Sequence, residues 1–276
     1  MEKKKHNRSR IRDIIIFLVI LLISSYLLPQ STVADSWIVL PKEINPYKSS
    51  ILKDPDPSVK LVYPQEVLGT LINSDKQEVV KILIDKQNYY LPLQFLVKKT
   101  SVPEHQKNIP IGDELVDIKT PLPINYKPDD LVKIDQKWNY HAADYSKYLR
   151  KEVATSLTQM FNEAKKQGLS LKVVSAFRAF SKQRQLYLRA IKKNGLDQNT
   201  VAKPGHSEHQ LGTTIDVSSF TPESVLNKSF GDTNEGKWMK KNANKFGFYQ
   251  SYTMANSKST GYIPEPWHFR FIGLPK

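Results

Sequence analysis

A polar stretch near the C-terminus, PGHSEHQLGTTIDV at residues 204–217, carries the first side chains that could do chemistry. His209 precedes Asp216 by seven positions, and Gly212 lies between them. In a continuous strand this odd spacing would direct the two side chains to opposite faces, so a turn at Gly212 is needed to bring them together. Imidazole nitrogens and carboxylate oxygens are ligands that Zn²⁺ accepts. His206 is an alternative ligand, although its neighbours Pro and Gly indicate a loop.

A second stretch, EPWHFRF at residues 265–271, supplies a further histidine and a further carboxylate. Its alternating aromatic and polar residues predict a strand with His268 on the polar face. Glu265 precedes His268 by three positions, and Pro266 predicts a bend between them. Two imidazoles and one carboxylate would leave an open metal position for water, and the second carboxylate would be free to carry protons. The chain has no cysteine, which excludes thiolate metal sites and disulfides.

The elements that must position these residues show a mixture of helix and strand patterns. Residues 148–166 repeat apolar side chains at three- and four-residue steps, which predicts a helix that ends before Gly168. Residues 169–177 predict a strand, Ser181 is expected to cap a second helix, and a third helix is expected over residues 234–245. Without a regular βαβ alternation, we predict an α+β fold, in which a small antiparallel sheet with flanking helices carries the metal site behind a small β module.

The 276 residues divide into four predicted segments. Residues 1–34 combine a basic start with an apolar run at 14–28, which indicates a signal peptide or an uncleaved membrane anchor. Residues 35–57 are dotted with prolines and predict a linker. Short β-branched and aromatic runs in residues 58–100 predict the β module, which resembles a bacterial SH3-like domain or is an irregular extension of the main domain. Residues 101–276 form the predicted main domain.

The formal net charge of +14 is concentrated in the main domain. Residues 113–276 hold 25 basic and 16 acidic side chains, a balance of +9. Both interpretations of the N-terminal segment place the rest of the chain outside the cytoplasm, so we expect an exported protein of the cell envelope, membrane-anchored or secreted. There the positive charge is either a solvated surface or an attraction to an anionic envelope polymer or lipid. No basic stripe is interleaved with stacking aromatics, so nucleic acid is not an expected partner.

Three motifs resemble those of the zinc D-alanyl-D-alanine carboxypeptidases of the vancomycin-resistance type and their L,D-carboxypeptidase relatives. SEHQLGTTID is similar to the family's S-x-H-x-x-G-x-x-x-D element, and EPWH to its E-x-W-H element. SAFRAFSKQRQLY at residues 175–187 is similar to its S-x-[YF]-R-x-x-x-x-Q segment. The likeness covers residues 113–276 in family order and implies the hedgehog-like metallopeptidase fold.

The resemblance implies a role for each matching residue. The implied Zn²⁺ ligands are His209, Asp216 and His268. Glu265 would be the general base, and Arg178 would bind the substrate carboxylate or polarise the scissile carbonyl. Ser207 and Gln183 would line the substrate pocket.

These roles predict a zinc carboxypeptidase that removes the C-terminal D-alanine from peptidoglycan stem peptides. The alternatives are an endopeptidase that cuts within the stem peptide and a non-catalytic cell-wall-binding protein. Arg178 favours the first, because a free carboxylate needs a counter-ion. The residues leave D,D and L,D specificity both open. Further expected partners are a cell-wall polymer, through the β module, and the membrane, through the N-terminal segment if it is uncleaved.

Overall fold

A computed structural model of the chain describes residues 34–74, 77–99, 109–113, 116–140 and 147–275. The predicted signal peptide or anchor lies outside these ranges, apart from its last residue. Among the described residues, no helix is both long and apolar enough to cross a membrane.

The described elements are short strands and four α-helices. The strands are β1 (Asp35–Val39), β2 (Glu43–Ile44), β3 (Leu61–Val62), β4 (Glu66–Ser74), β5 (Gln77–Ile84), β6 (Gln87–Pro92), β7 (Leu96–Lys98), β8 (Leu131–Lys133), β9 (Tyr148–Arg150), β10 (Lys172–Ser175), β11 (Thr214–Ser218), β12 (Phe248–Gln250) and β13 (His268–Phe271). The helices are α1 (Lys151–Lys166), α2 (Phe180–Asn194), α3 (Asn234–Asn242) and α4 (Ser257–Thr260). Short 3₁₀ turns join several of them, including one at Glu208–Leu211.

The N-terminal module is a five-stranded antiparallel sheet in the order β6-β5-β4-β1-β7. Along β4 the first residues alternate between exposed and buried, as expected for a strand that is solvated on one side. The other side of these strands, together with Leu61 of β3, builds the module's own core, from Trp37, Val39, Leu61, Val67, Val80, Ile82, Tyr89, Leu91 and Leu96.

The structure differs from the predicted linker at residues 35–57. β1 lies inside that range and is an inner strand of the sheet, between β4 and β7. Trp37 pairs with Val67 on one side and with Lys98 on the other, and its indole donates a hydrogen bond to the Gly69 carbonyl at 3.1 Å. The prolines of this segment lie after β1, so the proline count concealed a strand whose partners are far along the chain.

The C-terminal half contains a four-stranded antiparallel sheet in the order β10-β11-β13-β12. Side chains of α1 and α3 pack with those of the sheet in one large core that includes Leu157, Phe161, Ile215, Met239 and Phe271. A small antiparallel sheet with flanking helices behind a β module confirms the predicted α+β class.

Two predicted helix starts are wrong by a few residues. Tyr148–Arg150 pairs with β8 as a strand, so α1 begins at Lys151 instead of 148. Ser181 does not cap α2, because the helix already begins at Phe180 and Ala179 holds the cap position without a side-chain hydrogen bond.

Candidate active site

Three buried side chains converge at the centre of the C-terminal sheet. His209, Asp216 and His268 offer ligand atoms that all lie within 4.8 Å of one another. Nε2 of His209 is 3.1 Å from Oδ2 of Asp216, and Nδ1 of His268 is 3.1 Å from Oδ1 of the same carboxylate. The imidazole planes are nearly perpendicular, at 89°, with ring centroids 5.1 Å apart. Two nitrogens and a carboxylate facing one point fit a single metal ion.

Strand register and one glycine bring these ligands together. β11 and β13 are adjacent antiparallel strands, and Asp216 lies directly opposite His268. His209 lies on the 3₁₀ turn before β11, and Gly212 ends that turn in the left-handed conformation with φ 73°. A Cβ at Gly212 would lie 2.9 Å from the Leu131 side chain, so the position excludes larger residues for two reasons. The predicted turn at this glycine is therefore present.

Each imidazole is oriented through its second nitrogen. Nδ1 of His209 lies 2.8 Å from the Ala176 carbonyl oxygen, which directs Nε2 towards Asp216. Nε2 of His268 lies 2.8 Å from Oε2 of Glu208, which directs Nδ1 towards Asp216. Such partners fix the tautomer and the ring angle of metal-binding histidines.

Glu208 belongs to the candidate site and was not predicted from the sequence. Its carboxylate is buried and also accepts hydrogen bonds from Ser251 Oγ, at 2.6 Å, and from Arg270 Nη1, at 3.1 Å. Burial opposes its charge, but the hydrogen bond with His268 lowers the pKa of Glu208 to about 2. The sequence offered one signal, Arg270 beside His268 on the polar face of the predicted strand, which calls for a carboxylate partner but does not identify Glu208.

The three candidate ligands His209, Asp216 and His268, called the metal-ligand group below, have shifted pKa values. Burial opposes charge on His268, yet hydrogen bonds with Asp216 and Glu208 raise the pKa of its imidazole to about 10. Burial also opposes charge on Asp216, but the positive field of His209 holds the pKa of that carboxyl below its usual range. Asp216 and Glu208 thus stay ionised although both are buried, as is usual for carboxylates that are paired or that bind a metal.

Glu265 lies beside the metal-ligand group without belonging to it. Its Oε2 is 3.5 Å from Nδ1 of His268, and its backbone N–H donates to the Tyr252 carbonyl at 3.0 Å. Burial raises the pKa of Glu265 to about 7, with the positive charge on His268 acting in the opposite direction. A carboxyl group with a pKa near neutrality suits a general acid–base catalyst.

A cavity of about 420 Å³ opens onto this group, and all seven residues predicted for the site line it. Arg178 lies on its wall, where Nη1 donates to Gln183 Oε1 at 2.8 Å and Nη2 donates to Ser175 Oγ at 2.9 Å. Nη2 is also 3.5 Å from Asp216. Gln183 and Ser207 are buried in the same wall. The guanidinium is thus held in place beside the metal-ligand group.

His206, the alternative ligand, lies outside the cavity that contains the other predicted site residues. His206 is buried, but its Nδ1 lies 2.6 Å from the Asp117 carbonyl oxygen and it does not line the cavity. Burial lowers the pKa of His206 to about 4.

Two aromatic residues that were not predicted from the sequence, Tyr252 and Tyr262, line the cavity. The ring centroid of Tyr252 is 4.6 Å from that of His268 and 4.9 Å from that of Tyr262. No motif marks either tyrosine.

Comparisons with known proteins agree with this geometry. Residues 146–274 match the VanY family model, described as D-alanyl-D-alanine carboxypeptidase. The putative carboxypeptidase YodJ of Bacillus subtilis (strain 168) is 39% identical over 161 residues, which are 58% of this chain and 59% of that protein. The match therefore spans less than two thirds of the Bacillus protein.

Two further proteins are matched over most of their length. The bifunctional D-Ala-D-Ala dipeptidase and D-Ala-D-Ala carboxypeptidase VanXYC of Enterococcus gallinarum is 32% identical over 168 residues, 59% of this chain and 84% of that protein. The solved LdcB LD-carboxypeptidase is 32% identical with a TM-score of 0.56, and the match covers 74% of this chain and 85% of that one. With these likenesses and its metal-ligand group, the chain belongs to the D-alanyl-D-alanine carboxypeptidase family.

Proposed function

We propose that this protein is a zinc carboxypeptidase that removes the C-terminal D-alanine from peptidoglycan stem peptides. One observation carries the proposal: a single cavity contains the His209–Asp216–His268 group, the Glu265 carboxyl group and the Arg178 guanidinium. These are the parts that hydrolysis of a C-terminal peptide bond needs, since the bond must be polarised, water deprotonated and the free carboxylate bound. The names of the relatives, which include carboxypeptidases acting on D-Ala-D-Ala, support the substrate class.

Zn²⁺ fits the ligand group because two imidazoles and one carboxylate are a donor set of catalytic zinc sites. His268 would give up the proton that it otherwise holds when zinc binds, since the metal takes the neutral imidazole. Held there, zinc would act as a Lewis acid on the scissile carbonyl and make water more acidic. Glu265 takes a proton from the attacking water and delivers it to the nitrogen of the departing D-alanine. Its place 3.5 Å from His268 Nδ1 allows it to reach that water without being a ligand.

Arg178 binds the end of the peptide. Its donors already pair with Gln183 and Ser175, which hold the guanidinium plane at a fixed place on the cavity wall. A planar guanidinium can donate two parallel hydrogen bonds to a carboxylate, so a peptide terminus suits this wall better than an internal bond does. Ser207 and Gln183 shape the adjacent wall. This arrangement favours the carboxypeptidase over the endopeptidase.

The expected surroundings follow from the sequence. An exported protein with a formal charge of +14 would meet its substrate in the cell envelope, where anionic polymers attract it. A cell-wall polymer at the β module and a membrane at the N-terminal segment remain part of this proposal. The solved relative, whose description concerns peptidoglycan recognition, supports the substrate environment.

Mass spectrometry of synthetic stem pentapeptide and tetrapeptide, after incubation with zinc-loaded protein, tests the proposal. We expect loss of one D-alanine with the wild type and no loss with Glu265→Gln. The pentapeptide reacts if the specificity is D,D, and the tetrapeptide if it is L,D. Internal fragments would replace the proposal by the endopeptidase. Intact peptides in the presence of bound zinc would support the wall-binding alternative instead.

A further inference from the structure

The segment at residues 198–203 contacts both the active-site cavity and the β module. Thr200, Val201 and Ala202 line the cavity. The next residue, Lys203, is partly buried, and its ammonium donates a hydrogen bond to the Leu93 carbonyl oxygen of the module at 2.7 Å. The part of the cavity wall that residues 200–202 form is therefore attached to the module through the next residue, Lys203.

The same segment is bonded to the substrate side of the cavity. Nε2 of Gln183 donates to the Ala202 carbonyl oxygen at 2.6 Å, while Oε1 of Gln183 accepts from Arg178 at 2.8 Å. Gln198 closes the segment on itself, since its side chain donates to the Val201 carbonyl oxygen and accepts from the Val201 N–H, both at 3.0 Å. A shift of the segment would thus be transmitted to the Arg178 guanidinium.

The module also packs against α2 beside this segment. A separate apolar cluster joins Ile38, Leu40 and Val97 of the module to Phe180 and Tyr187 of α2, with Val201 packed against it.

A cation reinforces the contact at a second point. The Arg184 guanidinium lies over the Tyr63 ring, 3.7 Å from its centroid, and its Nε donates to the Leu40 carbonyl oxygen. Burial lowers the pKa of Lys203 to about 8, which agrees with a contact from which water is largely removed. An independently moving wall-binding domain would not need these contacts.

We propose that the β module holds residues 198–203 in the conformation that binds substrate, and that Lys203 is the positioning residue for this contact. The substrate half of this inference rests on the proposed function. Lys203 does not itself line the cavity, so it acts through the backbone of Ala202 and through Gln183.

Lys203→Met tests the inference, because methionine keeps the length of the side chain and removes the donor. The matched control is Lys192→Met, which removes an exposed lysine on α2. We expect KM for the D-alanine-terminated peptide to rise about 5-fold or more in Lys203→Met, as for a buried acceptor that loses its donor. The value of kcat and the zinc content should stay within about twofold, and Lys203→Arg should recover part of the loss.

Amide hydrogen exchange measures how well residues 198–203 are held in place, and it needs no substrate. Amides of residues 198–203 should exchange faster in Lys203→Met than in the wild type or in Lys192→Met. Arg184→Lys, which weakens the same docking contact, should show a smaller change of the same kind and serves if Lys203→Met does not fold. If the wild type releases no D-alanine, the proposed function fails while this comparison still stands. Equal exchange in all variants, or faster exchange with an unchanged KM, would overturn the inference.

Discussion

The two main sheets of the molecule bury different kinds of side chain. In the N-terminal sheet the buried positions are apolar, as with Val80 and Leu91 at 0% exposure, while Leu68 and Leu83 on the other face are 64% and 66% exposed. In the C-terminal sheet all five residues of β11 are buried, and three of them are polar. The first sheet is organised for packing and the second for binding.

The free-energy cost of burying polar side chains in the C-terminal sheet indicates where the site lies. Burying an ionised carboxylate is strongly unfavourable unless it is paired, and Asp216 is 4% exposed. Its partners are two imidazoles and the Arg178 guanidinium, all of which line the substrate cavity. A core built for stability alone would place apolar residues here, so the polar strand marks the functional region of the fold.

The largest effect is expected from Glu265, beside the C-terminal sheet, where catalysis should be lost while the fold is kept. Glu265→Gln should lower kcat/KM by about 10²–10⁴-fold, the usual share of a general acid–base catalyst. Zinc content and melting temperature should stay close to the wild-type values, because Glu265 is not among the clustered ligands. Steady-state kinetics with metal analysis measures both. Loss of zinc together with activity would make Glu265 a ligand instead.

A core position of the apolar sheet should respond in stability and not in zinc affinity. Leu91→Ala removes a fully buried side chain from the module core and should lower the free energy of unfolding by about 2–5 kcal/mol. Urea denaturation followed by tryptophan fluorescence measures the loss. Zinc affinity of the folded protein should not change. A weakened zinc site in this variant would show that the two sheets are not separable in this way.

A smaller effect is expected from the support of His268. Glu208→Gln keeps the size of the side chain and should weaken zinc binding about 10–100-fold, the range found for partners of metal-bound histidines. Competition with a chelating dye gives the affinity, and Glu223→Gln, at an exposed position, is the control. Wild-type affinity in Glu208→Gln would mean that Asp216 and the strand register orient His268 without help.

The smallest effect should come from Leu83, an exposed side chain of the module. Leu83→Thr should change the free energy of unfolding by no more than about 0.5 kcal/mol, as is usual for surface positions. Thermal melts at several protein concentrations test this. A larger loss that depends on concentration would show that this face is covered in solution, and the contrast between the sheets would then be weaker.

Local motifs, together with their resemblance to the family, were sufficient to predict the ligands but not the residues that support them. The turn at Gly212 and the strand carrying His268 are each encoded within a few residues, so the chemistry of the site could be predicted. Glu208 contacts His268 across 60 positions of the chain, and no local pattern reports such a pairing. β1 was missed for the same reason, since Trp37 pairs with Lys98. The contact of Lys203 with Leu93 spans 110 positions and was equally hidden.

The separation of Asp216 and His268 has one more consequence. They lie 52 positions apart, so a metal ion bound by both would close a loop of that length. For a permanent cross-link of this span, the chain-entropy account gives a stabilisation of about 4 kcal/mol. The chain has no cysteine, and this site would therefore be its counterpart of a disulfide bond. This metal cross-link would form when metal is supplied rather than when the compartment is oxidising, and it would tie the stability of the C-terminal half to metal supply.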